Sequence, residues 1–225
     1  MASIDLDHTT GLVPIFPLPE MALLPGELMP LYIFEPRYRR MLADALAGDR
    51  LIAMARFEPG WEGNYYGNPE VKKIMGLGTV VAHHAQADGG SEIVLRGLAR
   101  VTLLEVVREM PYRLGRVDTM PEAVSDPAKL KQLTAEIFGM LESLCGQQDH
   151  PFGDGECSGL PLEELPGRLV PLLQYDVETK HKLLSCDDLV CRLEVVLKGL
   201  KSRERQARMA KLLRGKIPPV DPKMN

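Results

Sequence analysis

Apolar and polar positions follow two rhythms along this chain: short, proline-broken extended runs up to about residue 121, and helical spacing beyond it. Ile15-Phe16 and Leu28 to Phe34 have strand length and composition. Pro17, Pro19, Pro25 and Pro30 each remove a backbone donor, which predicts that these runs lie at edges and bends rather than inside a regular sheet. Glu35-Pro36 ends the extended segment, and Pro36 suits the first position of a helix, where its missing N–H would be unpaired anyway. Tyr38, Met41, Leu42, Ala45 and Leu46 then recur at helical spacing, leaving Arg37, Arg39, Arg40, Asp44 and Asp49 for solvent, with Gly48 at the stop. Arg50 to Phe57 reads as a strand buried on both faces, and Glu58 to Pro69 as a loop. The sheet restarts at Ile74 to Ala82. Asp88-Gly89-Gly90 is a hairpin turn signal leading to Ile93-Val94-Leu95, and Leu98 to Val107 and Tyr112 to Val117 complete six or seven short strands spaced for a closed sheet.

The period changes after Pro121. Ser125-Asp126-Pro127 is a helix start, and Leu130, Leu133, Ile137, Met140, Leu141 and Leu144 mark one apolar face as far as Gly146. Residues 147–159 are a polar, glycine-rich connector. Short helices are expected over Pro166 to Tyr175 and Val177 to Leu184. Asp187 or Asp188 caps a last helix running to about Arg214, with Leu189, Leu193, Val196, Leu197 and Leu200 turned inward. Beyond Leu200 the apolar stripe thins, so the final turns are expected to project.

The run FPL followed by LLPGELMPLYIFEPRYRRMLADALAGDRLIAM resembles the LON N-terminal (substrate-binding) domain, the non-catalytic front end of Lon-type ATP-dependent proteases. The resemblance continues through Gly76 to Val80, through the G-x-x-R pattern of Gly97 to Arg100 inside IVLRGLARVTLLEVVREM, and through Pro111-Tyr112. It extends to Pro166-Gly167-Arg168-Leu169 and to Lys180–Leu193. What it implies is an α+β fold in which a PUA-like β pseudobarrel precedes a C-terminal α-helical bundle. The expected division is 1–122 for the β lobe, 123–215 for the bundle and 216–225 for a flexible tail.

At 225 residues, 45% of them apolar and 26% charged, the chain can bury a substantial core. No run approaches the roughly 20 apolar residues of a membrane span, and the N-terminus lacks a signal-peptide pattern, so a cytoplasmic protein without membrane contact is expected. Cys145, Cys157, Cys186 and Cys191 are scattered without a CxxC pair, which favours idle thiols over a disulfide framework or a zinc ribbon. The net charge of −4 hides an asymmetry. Residues 198–216 hold eight Lys or Arg against the single acid Glu204, a net +7, so the remainder carries −11. Such an end suits an acidic partner or a polyanion, with Lys201, Arg203, Arg205 and Arg208 as contacts, although a solvated helix face reads the same way.

Catalytic patterns are weak. Neither a GxxxxGK[ST] phosphate loop nor a Ser-Lys protease pair is present, and Gly215-Lys216 lacks the spacing, so recognition without hydrolysis is expected. Gly155 to Gly159 spells GxCxG, but no apolar strand precedes Cys157 and His150 is its only nearby base, which favours a connector. His83 and His84 are adjacent on a strand and point to opposite faces, against a shared metal ion with Asp88. Cys145, His150 and Cys157 lack an evident fourth ligand. No catalytic residue, metal or cofactor is expected.

The candidate binding site is the loop after Phe57. Trp61, Tyr65 and Tyr66 place the sole tryptophan and two of the six tyrosines within six residues of a chain only 5% aromatic. Glycine-bracketed rings can grip apolar side chains of a partner, or can fold back as a lid over the β lobe, and both readings stay open. The leading functional expectation is a non-catalytic protein that recognises unfolded or client polypeptide, with an intact Lon-type protease as a further partner. It would act as a monomer or weak dimer. The alternative is RNA binding through the PUA-like barrel and the basic last helix, against which the acidic body argues.

Overall fold

The computed structural model describes residues 11–145 and 160–214. Six strands form one mixed sheet: β1 (Leu12–Leu18), β2 (Leu28–Ile33), β3 (Leu51–Arg56), β4 (Ile74–Ala85), β5 (Ser91–Arg108) and β6 (Arg113–Thr119). Helix α1 (Pro36–Ala47) lies between β2 and β3, and α2 (Pro127–Cys145), α3 (Leu165–Arg168), α4 (Val170–Leu173), α5 (Val177–Ser185) and α6 (Leu189–Arg214) follow the sheet. The class is α+β. In the order β2-β5-β4-β3-β1-β6, only β1 and β3 run parallel, and a further β5–β6 pairing links the last strand of the row to the second.

Two features of the sheet differ from the sequence expectation. β1, with Pro14 and Pro17, is not at an edge but between β3 and β6. Its two partners share only Ile15: β6 pairs with Leu12 to Ile15 and β3 with Ile15 to Leu18. Each proline therefore sits in a half bonded on one side alone, where a missing donor is tolerable. β2, with Pro30, does lie outermost, paired only with β5. Secondly, Ile93 to Leu95 and Leu98 to Val107 belong to one 18-residue strand, and Gly97 is a point of close approach inside it rather than a break. A Cβ there would lie 2.0 Å from the Leu24 carbonyl oxygen, and one on Gly76 would lie 1.9 Å from that of Leu23. These glycines let the chain between β1 and β2 lie directly against the sheet.

Helix starts follow local chemistry. Asp126 Oδ1 accepts from Lys129 N at 2.9 Å, Asp176 Oδ1 from Thr179 N at 2.6 Å, and Asp188 Oδ1 from Val190 N at 3.2 Å, which settles the last cap on Asp188. The single helix expected over Pro166 to Tyr175 is two. Pro171 cannot donate back along the helix, Leu169 takes φ −90° and ψ 0°, and the left-handed Gln174 closes the second piece. Leu133, Ile137 and Leu141 of α2 pack on Leu193, Val196, Leu197 and Leu200 of α6. Beyond Leu200, residues 204–210 of α6 are exposed, as the thinning stripe predicts.

Candidate functional site

The loop after Phe57 is pinned at its neck and aromatic at its tip. Phe57 bridges to Val71, Glu58 N donates to Glu70 O at 2.9 Å, and Lys72 pairs with Glu58 at 3.0 Å. Within it a single 3-10 turn, Glu62–Asn64, brings the rings together. Trp61 stacks on Phe57 with centroids 5.5 Å apart and planes 17° from parallel, Tyr65 meets both edge-on, and Tyr66 meets Tyr65 at 5.0 Å. Phe57 is buried, Trp61 and Tyr65 are half-buried, and Tyr66 is 83% exposed. Trp61 and Tyr65 thus cover Phe57, while Tyr66 faces outward.

A cleft of about 380 Å³ opens beside this loop, between the start of α1 and the β5–β6 turn. Phe57, Tyr65 and Tyr66 line it, and Trp61 supports Phe57 from outside. The opposite wall is Glu109, Met110, Pro111 and Tyr112, with Met110 71% exposed at the rim. Asn68 Nδ2 donates to Glu109 Oε2 at 3.3 Å, tying the loop to that wall.

The helix start supplies the charge. Glu35, held extended ahead of Pro36, accepts from Arg37 Nε at 3.0 Å and from Tyr65 OH at 2.6 Å. The Arg37 guanidinium lies over three rings, at 4.5 Å from Tyr38, 5.0 Å from Tyr65 and 5.6 Å from Tyr66. Arg37 was expected in solvent from helical spacing; instead it is half-buried, because Tyr65 and Tyr66 reach across from the loop to cover it. Burial pushes the Tyr65 and Tyr38 hydroxyls up from their ordinary values. Burial also lowers Arg113, whose Nη2 donates to Pro69 O at 2.6 Å on the cleft floor. Tyr112 OH donates to Asp44 Oδ2 at 2.8 Å, and that bond holds the Asp44 carboxyl below the usual range.

Among the described residues no Ser, Thr, Cys, His, Lys or Asp lines the cleft, and its polar lining is Arg37, Asn68, Glu109, Arg113 and tyrosine hydroxyls. It can bind an apolar or aromatic group through its rings and orient a polar one through Arg37 or Glu109.

The other candidates scatter. His83 and His84 are both exposed on β4, and His83 Nε2 lies 3.2 Å from Ser91 Oγ. Among the described residues no group of three or more His, Cys, Asp or Glu could hold a metal ion. His150, Cys157 and the 155–159 run lie outside the described residues, as does the 216–225 tail. On α6, Lys201 pairs with Glu136 at 2.6 Å and Arg208 with Glu204 at 3.0 Å, Arg205 Nε donates to Lys201 O at 3.3 Å, and Arg203 is half-buried. No helix among the described residues is long and apolar enough to cross a membrane.

Fold and cleft together define an α+β domain with a mixed six-stranded sheet, an appended set of helices and an aromatic recess. The chain belongs to the ATP-dependent protease La (LON) substrate-binding domain family, whose model matches residues 12–202. It is 27% identical over 214 residues to Lon protease 2 of Myxococcus xanthus, covering 90% of this chain and 25% of that protein. It is 24% identical over 191 residues to the Lon protease of Dictyoglomus thermophilum, covering 82% and 23%. The chain thus spans about a quarter of the length of these curated relatives. Among solved structures, the N-terminal domain of a Mycobacterium avium complex Lon protease superposes with TM-score 0.65 at 20% identity, over 84% of this chain and 98% of that one. A Lon N-terminal domain protein from Xanthomonas campestris gives 0.58 at 21% identity, over 83% and 97%.

Proposed function

We propose that this chain is a non-catalytic recognition protein that binds unfolded or client polypeptide in the cleft beside Tyr66, in connection with Lon-type proteolysis. The observation that carries the reading is the exposure of Tyr66 and Met110, 83% and 71%, over a buried aromatic floor. Large apolar groups left in water around a concave recess are the ordinary mark of a surface that another molecule covers. Arg37 and Glu109 supply the polar contacts that would fix a peptide's orientation, and membership of a protease substrate-binding domain family supports polypeptide as the substrate class. The β lobe is a PUA-like pseudobarrel in this reading, and the protein works in the cytoplasm as a monomer or weak dimer, with a Lon-type protease as its further partner. The RNA alternative loses support, because Lys201 and Arg208 of the basic helix are already paired with carboxylates.

The test is a fluorescence titration of a labelled unfolded polypeptide against wild type and Tyr66→Ala. Saturable binding that weakens roughly tenfold in the variant is expected, the effect of losing one well-placed interface aromatic. Absence of saturable binding, or equal affinity of the two proteins, overturns the reading.

A further inference from the structure

A second groove lies between α5 and α6, away from the aromatic cleft. Thr179, Lys182 and Leu183 form one stripe of α5 at i, i+3 and i+4, and Cys186 follows at the helix's C-cap. Facing it on α6 are Arg192, Val195, Lys198 and Ser202, and Tyr175 closes one end of a space of about 580 Å³. Three cations and no carboxylate line this groove. Lys182 and Lys198 form no ion pair among the described residues, and both are exposed at its rim.

Arg192 is different, being 1% exposed. Its Nη2 is held against Glu122, a carboxylate that also accepts from Arg100 Nε, so one acid serves two buried guanidiniums. Arg192 Nε finds no acceptor, and neither does the buried hydroxyl of Tyr175. Two buried donors without acceptors on one groove are unusual in a folded protein, where such groups are nearly always satisfied. The surrounding acids are engaged elsewhere: Glu194 pairs with Lys129, Asp188 holds Ser125 and caps α6, and Asp176 caps α5. Burial and the neighbouring Arg100 charge push Arg192 down to about 10, so it remains a cation at neutral pH, though one short of negative charge.

We propose that the α5–α6 groove is a second ligand site, for a carboxylate carried on an apolar body: the carboxylate accepts from Arg192 and Tyr175 between the lysines, and the apolar body lies on Leu183 and Val195. The groove is larger than a bare oxyanion requires, and its wall is mostly apolar, with Leu183 and Val195 as its aliphatic side chains. Such a ligand can be a free apolar acid or the C-terminal carboxylate of a polypeptide with an apolar last residue. The site is independent of the aromatic cleft, and its failure leaves the cleft reading untouched.

The experiment titrates the full chain calorimetrically with octanoate, with inorganic phosphate, and with a short peptide ending in leucine, as the free carboxylate and as its amide. Cys191, exposed on the same groove, reports location through its rate of alkylation, followed by peptide mapping. Octanoate or the free peptide carboxylate is expected to bind saturably, slow alkylation of Cys191 and weaken with added salt, with the peptide amide inert. Binding of octanoate alone assigns a free acid; binding of the peptide carboxylate as well assigns the polypeptide source. Arg192→Met could fail to fold, so the variants are Tyr175→Phe and the pair Lys182→Ala/Lys198→Ala, each expected to weaken binding roughly tenfold. No saturable binding by either carboxylate, phosphate binding as tightly as octanoate, or affinity unchanged in both variants overturns the proposal.

Discussion

At Gly97 the obstacle to any side chain is backbone, since an added Cβ would lie 2.0 Å from the Leu24 carbonyl oxygen, which accepts from Glu27 N at 3.0 Å. Gly167 meets the Pro25 carbonyl at 2.1 Å in the same way from α3. Gly97→Ala is therefore expected to destabilise by about 1–3 kcal/mol or more through overpacking, read as a lower urea midpoint at unchanged slope. At the cleft, floor and rim separate by the same kind of measurement. Phe57→Ala removes a buried ring under Trp61 and should cost about 3–5 kcal/mol, whereas Tyr66→Ala should change stability by less than about 0.5 kcal/mol. A large stability loss in Tyr66→Ala would mean that the ring is a structural lid. The aromatic cluster was legible in the sequence because so few rings crowd so short a loop. Arg37 was not, because helical periodicity says which side of α1 faces outward and nothing about a distant loop folding over that side.

Elements were read well wherever one interaction decides them. The cap at Asp126, a cap at one of Asp187 and Asp188, and the apolar stripes of α2 and α6 depend on neighbours in sequence, and the structure has them, with Asp188 as the second cap. The path of β1 depends on which strands flank it, which no local rule supplies, and Gly97 inside β5 obeys a carbonyl from another segment. Helix α5 carries a consequence for pH. His181 is held below its ordinary pKa of 6.5 chiefly by burial, with Lys72 and Arg56 adding to the effect. Its Nδ1 lies 2.8 Å from Ser185 Oγ, and its buried Nε2 has no partner. The unfolded chain therefore takes up the proton first. Stability from this group is fully present above the unfolded value and declines as pH falls through about 6.5 toward the lower folded value. Melting temperature should drop between about pH 7 and 5, and His181→Gln should flatten that slope; an unaltered slope in the variant would assign the titration elsewhere.

Sheet and helices are joined by charge as much as by apolar contact, and this bears on the proposed division at residue 122. Arg100, on β5 and fully buried, donates through Nη1 to Leu184 O at 3.2 Å and Cys186 O at 2.7 Å, through Nη2 to Pro121 O at 3.0 Å, and through Nε to Glu122 at 3.2 Å. Lys180 of α5 pairs with the buried Glu27, Arg56 of β3 with Glu178, and Ala123 bridges to Asp188. The G-x-x-R pattern of the sequence contained Arg100, yet its partners Leu184 and Cys186, 84 and 86 residues away, could not be read from it. Two lobes so joined should unfold together. A single transition is expected by both near-UV and far-UV circular dichroism, with coincident midpoints in urea. Arg100→Met removes the donor shared by five backbone and side-chain acceptors, Asp187 Oδ1 at 3.4 Å among them, and leaves buried carbonyls unpaired, a loss of about 3–5 kcal/mol. If the lobes are separately stable, the same variant should split the transition in two, because the apolar cores on either side are untouched by the change. A wild-type chain that already unfolds in two steps would show that the Arg100 cluster orients the helices on the sheet without contributing to their cooperativity.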